Sequence, residues 1–72
     1  MIEVDVKGLS CPIPVVRTKQ AMEKNPVEII TVFADSTVSK ENVSRLAESK
    51  KYSVKVETIA EEEYKLVLTP SA

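Results

Sequence analysis

The chain has 72 residues, 43% apolar and 29% charged, an ordinary globular composition for which one domain over residues 1–72 is expected. Ten Lys+Arg against eleven Asp+Glu leave a net charge of −1, and the only aromatics are Phe33, Tyr52 and Tyr64, so no nucleic-acid partner is expected. Histidine is absent and Cys11 is the only cysteine, which excludes Ser-His-Asp and Cys-His dyads, an internal disulfide, a Cys-x-x-Cys pair and a thiolate metal cage. No metal and no cofactor are expected. Apolar runs fall far short of a membrane span and no signal peptide is visible, so an unpartnered thiol suits a reducing cytoplasm.

In chain order, Ile2, Val4 and Val6 alternate with Glu3, Asp5 and Lys7, which predicts a half-buried strand over residues 2–7. Gly8-Leu9-Ser10 reads as a turn. A helix is expected over residues 12–24, with Val15, Thr18, Ala21 and Met22 on the face that meets a sheet. Val27 to Ala34 is an apolar, β-branched run without alternation, as in a centrally placed strand. Ala34 to Val38 reads as a polar loop, and Ser39 as the N-cap of a second helix with Glu41 in its first turn. Val43, Leu46 and Ala47 supply that helix's apolar stripe. Residues 52–59 alternate, Glu61 and Glu62 turn the chain, and Tyr64, Leu66 and Leu68 alternate on a last strand ended by Pro70.

The order is βαβαββ. Helical crossovers favour parallel early strands, and the short last connection favours an antiparallel hairpin. An α/β (α+β) two-layer sandwich follows, a four-stranded mixed sheet with two helices on one face.

Chemistry concentrates in Gly8-Leu9-Ser10-Cys11-Pro12-Ile13-Pro14. Cys11 stands where a strand hands over to a helix. The spacing places Cys11 at the N-cap, Pro12 at the first helical position and Pro14 at the third, where neither missing N–H matters. The amides of Ile13 and Val15 and the helix dipole favour a thiolate over a thiol. A lone cysteine is commonly a small buried hydrophobe. Here it lies outside every apolar stripe, at a capping position that Ser, Thr or Asp fills better. Ile13 and Val16 fall partly outward beside Arg17, either as a docking patch or as ordinary scattered aliphatics. Asp35, Ser36 and Asn42 would line the same surface if both helices start at one sheet edge, although turn chemistry and capping explain each more simply. Glu61-Glu62-Glu63 and Lys40 read as solvated positions.

The stretch Asp5-Val6-Lys7-Gly8-Leu9-Ser10-Cys11-Pro12-Ile13-Pro14 resembles the Cys-Pro-x-Pro motif region of the TusA/SirA-like sulfur-carrier family, and the resemblance extends over essentially the whole chain. Ala34-Asp35-Ser36 stands where that family has a short acidic loop. Residues 15–22 and 40–49 are similar to the YedF-like branch, often linked to selenium metabolism. The resemblance implies a βαβαββ sandwich similar to the C-terminal domain of bacterial translation initiation factor three. It also implies sulfurtransferase chemistry: Cys11 accepts sulfane sulfur from a persulfide donor such as a cysteine desulfurase and passes it to an acceptor protein. Pro12 and Pro14 carry over as supports of the site. Asp5 and Gly8 carry over as motif residues, with a strand-end hydrogen bond expected of Asp5 and a positive φ of Gly8.

Two alternatives stand beside the carrier. One is a non-catalytic regulatory or binding module, for example a partner of a membrane sulfur-compound transporter, which would keep its effect with serine at Cys11. The other is a thiosulfate- or selenium-handling enzyme using the same cysteine, which would turn over a small molecule without a protein donor.

Overall fold

In the computed structural model, which describes residues 2–9 and 12–70, the chain runs β1 (Ile2–Asp5), α1 (Ile13–Lys24), β2 (Ile30–Ala34), α2 (Thr37–Ser49), β3 (Tyr52–Ala60) and β4 (Glu63–Pro70). The strands form one mixed sheet in the order β1-β2-β4-β3. β1 lies parallel to β2, with Ile2 opposite Ile30 and Asp5 opposite Phe33. β4 is antiparallel to both β2 and β3, so the closing hairpin returns its second strand to the middle of the sheet and leaves β3 at the edge.

The pleat explains how this sheet is covered. Side chains alternate between faces, and Val6, Ile30, Val32, Ala34, Leu66 and Leu68 are buried on one of them. Met22 of α1 and Val43 and Ala47 of α2 join the same cluster, so both helices cover that face. The other face carries Glu3, Asp5, Lys55, Glu57 and Lys65, with Lys55 Nζ 3.6 Å from Glu57 Oε1. The expected βαβαββ sandwich is therefore the observed fold.

Four local expectations are corrected. β2 begins at Ile30, not Val27. The Asn25 amide and side-chain Nδ2 both donate to the Ala21 carbonyl, and Glu28 N–H then donates to Asn25 C=O. That turn consumes residues 26–28 and leaves Val27 85% exposed. α2 begins at Thr37 with Ser36 as N-cap, because Ser36 is extended (φ −147°, ψ 152°) and its Oγ accepts from Ser39 N–H at 3.1 Å. Ser39 is thus inside the helix and buried. α1 begins one residue later than expected: Pro12, at φ −96° and ψ 10°, occupies the cap position, and Pro14 is the second helical residue rather than the third. Pro14 is also buried on the face that meets the sheet, with Thr18 and Met22, while Val15 and Ala21 are only half-buried.

Two non-glycine residues, Lys51 and Glu62, take positive φ (64° and 59°) where α2 turns into β3 and where the hairpin closes. The chain has a single glycine, and it stands elsewhere, in the loop after β1.

Candidate functional site

Parallel pairing of β1 and β2 puts the C-terminal ends of both strands at one end of the sheet. The loop after β1 leads to α1 there, and Asp35-Ser36 leads to α2. β4, running the other way, begins at the same end, with Tyr64 opposite Ala34. Segments distant in sequence therefore converge around the loop that carries the Cys-Pro-x-Pro motif.

That loop is held amide by amide. Val6 N–H donates to Phe33 C=O of β2 at 2.9 Å, and Lys7 N–H donates to Asp5 Oδ1 at 2.9 Å, an Asx-type turn at the end of β1. Gly8 N–H donates to Asp35 Oδ2 at 2.8 Å across 27 residues of sequence. Leu9 N–H donates back to Val6 C=O at 3.2 Å. Gly8 takes φ +76°, the left-handed conformation that a Cβ disfavours, and open space surrounds the position its Cβ would occupy. Glycine is needed there for the backbone turn rather than for room.

Cys11 and Ser10 lie outside the described residues. On the far side of the motif, Val16 N–H donates to Pro12 C=O at 3.0 Å and opens the helical series. Pro12 supplies no side-chain cap. Both prolines lack an N–H, so Ile13 and Val15 hold the only amides of α1 ahead of Val16. Thr18 Oγ1, fully buried, donates to Pro14 C=O at 2.9 Å and ties that first turn to the next.

Among the expected site residues, Asp5 and Gly8 are exposed ahead of the motif and Pro12 is exposed within it, whereas Pro14 packs in the interior. Ile13 and Val16 are 44% and 45% exposed on the outer side of α1. Arg17 turns away from them, into an open groove of about 360 Å³ between β1 and α1 that Asp5, Gln20 and Lys24 also line. Among the described residues, no cluster of three acidic, cysteine or histidine side chains could hold a metal ion. No helix among them is long and apolar enough to cross a membrane.

A second shore of the site comes from the end of β2, the first turn of α2 and the start of β4. Asp35 is a long-range partner of the motif loop as well as a turn residue. Lys40 is half-buried, its Nζ 4.8 Å from the Tyr64 ring centroid, and Thr37 Oγ1 and the Tyr64 hydroxyl lie 3.4 Å apart. The available signal was the acidic Ala34-Asp35-Ser36 segment at the end of an apolar strand, which a parallel sheet necessarily brings beside the first loop.

Comparisons with known proteins agree with this geometry. A "putative sulfur carrier protein" of Methanocaldococcus jannaschii is 36% identical over 69 residues, covering 94% of this chain and 92% of that protein. A "putative sulfur carrier protein" of Thermotoga maritima is 33% identical over 67 residues, covering 90% and 85%. The crystal structure of a SirA-like protein from Desulfitobacterium hafniense superposes with a TM-score of 0.89 at 27% identity, over 100% of both chains. The family model described as sulfurtransferase TusA matches residues 2–69, and this chain belongs to that family of sulfur carriers.

Proposed function

We propose that this chain relays sulfane sulfur as a persulfide on Cys11, with residues 1–72 acting as one carrier domain. The observation that carries the reading is the family match over residues 2–69, within which the sole cysteine stands in the Cys-Pro-x-Pro motif. The hydrogen-bonded approach through Val6, Lys7, Gly8 and Leu9 supports it, since a displacement at sulfur depends on how the thiolate is presented.

The chemistry conserves electrons and needs no external oxidant. The Cys11 thiolate attacks the outer sulfur of a donor persulfide. The donor's S–S bond breaks as the Cys11 Sγ–S bond forms, and the donor leaves as a thiolate. An acceptor thiolate then attacks the outer sulfur on Cys11, and Cys11 leaves as a thiolate in turn. With no second cysteine in the chain, the loaded persulfide cannot be resolved internally, so cargo leaves only to a partner. Exposed Ile13 and Val16 form the surface against which donor and acceptor dock, while Arg17 faces the neighbouring groove between β1 and α1. The reading assigns the work to the cytoplasm, with a cysteine desulfurase as donor. The YedF-like segments favour a place in selenium-linked metabolism.

Incubation with a cysteine desulfurase and cysteine, followed by intact mass measurement without reductant, tests this reading. One added sulfur atom, removed by dithiothreitol and absent in Cys11→Ser, is expected, while the circular dichroism of Cys11→Ser stays that of the parent. No gain under conditions that load a known carrier overturns the relay and leaves a binding module.

A further inference from the structure

The Asp35 carboxylate lies beyond the machinery assigned above, and its geometry is specific. Of the four consecutive amides that lead from β1 toward the motif, two are satisfied within the loop itself and one by the β2 backbone. Gly8 N–H alone relies on a side chain from elsewhere in the chain, Asp35 Oδ2 at 2.8 Å. Gly8 is also the residue at φ +76°, where the chain reverses direction and where glycine leaves the backbone least constrained.

Asp35 is itself held from behind. It follows Ala34, fully buried at the end of β2, and precedes Ser36, whose side chain caps α2. The first turn of α2 is then braced against β4 through Thr37 and Lys40 on Tyr64. The carboxylate therefore projects from a rigid corner onto the most permissive point of the motif loop.

We propose that Asp35 is a positioning residue for sulfur transfer: its hydrogen bond to Gly8 N–H sets the path of the loop and thereby the presentation of the Cys11 thiolate. This rests on the carrier reading for its consequence in transfer, but the bond and its effect on the thiol are testable without it. Asp35 touches the loop backbone and acts through it.

The experiment compares Asp35→Ala with Asp35→Asn. Both lose the same charge, but asparagine keeps a carbonyl oxygen able to accept from Gly8 N–H. Alkylation of Cys11 by iodoacetamide is followed across pH, with circular dichroism and thermal melting to establish that both variants fold. In Asp35→Ala the alkylation midpoint lies above that of Asp35→Asn. Its rate at neutral pH falls about threefold below that of Asp35→Asn, the equivalent of half a pH unit in thiolate population. Persulfide loading from a desulfurase falls about tenfold in Asp35→Ala and is restored in Asp35→Asn. Matching alkylation profiles for the two folded variants overturn the proposal, since the retained carbonyl of asparagine would then contribute nothing beyond the charge loss common to both. If the parent protein takes no sulfur at all but the alkylation profiles separate as stated, the positioning role stands and the relay reading fails.

Discussion

At the scale of single residues, one buried side-chain oxygen among the described residues has no hydrogen-bond partner. Thr31, at the centre of β2, is fully buried, yet its Oγ1 has no hydrogen-bond partner. It points to the sheet face away from the helices, between Glu3 and Val67 on the neighbouring strands. An unsatisfied buried hydroxyl costs about 1–3 kcal/mol. Thr31→Val keeps the shape and the β-branching while removing the orphan oxygen, so it should stabilise the protein by about 1 kcal/mol. A rise in the urea midpoint at unchanged m-value is the expected reading. A fall would mean that the hydroxyl is satisfied in solution. The same accounting separates the two prolines of the motif. Pro12 stays exposed beside the cysteine, and Pro14 is part of the packed interior.

At the scale of elements, the starts of the two helices differ in kind. α1 has no side-chain cap and depends on proline geometry and on Pro12 C=O as its first acceptor. α2 has a capping serine with the extended backbone that caps require. Ser36→Ala should therefore cost about 1 kcal/mol. Because Ser36 adjoins Asp35, the substitution should also loosen the contact to Gly8. Hydrogen exchange at the Gly8 amide should accelerate along with the drop in melting temperature, and unchanged exchange would show that the corner is held by β2 alone. The cap stands three residues before Ser39, and residue type does not distinguish the two positions, since Ser36 and Ser39 are equally good capping types. What separates them is that Ala34 ends β2 inside the core and forces the reversal immediately after it.

At the scale of the whole molecule, a chain of 72 residues has little interior to spare. Its core is one cluster in which β4 supplies Leu66 and Leu68 opposite Val32 and Ile30. Leu66→Ala should cost about 2–5 kcal/mol, a large part of the 5–15 kcal/mol typical of a folded domain. Urea unfolding should show the midpoint collapse, and at the upper end of that range the variant would be substantially unfolded at 37 °C. Central placement of β4 also couples stability to the site, because the strand that carries Leu66 also carries, two residues earlier, the Tyr64 that braces α2. Loss of core packing there should loosen the site corner as well as the sheet.

The order of elements and the sandwich class were legible in the chain because each depends on short-range pattern. Alternation marks β1 and β4, and a 3.6-residue stripe marks α2. The true start of β2, the burial of Pro14 and the corner made by Asp35, Thr37, Lys40 and Tyr64 were decided only on folding. These contacts join residues up to 27 positions apart, as in Gly8 with Asp35 and Thr37 with Tyr64. Their existence follows from a parallel β1–β2 pair and an inserted β4, and strand order is a property of the packed sheet that no local window of sequence contains.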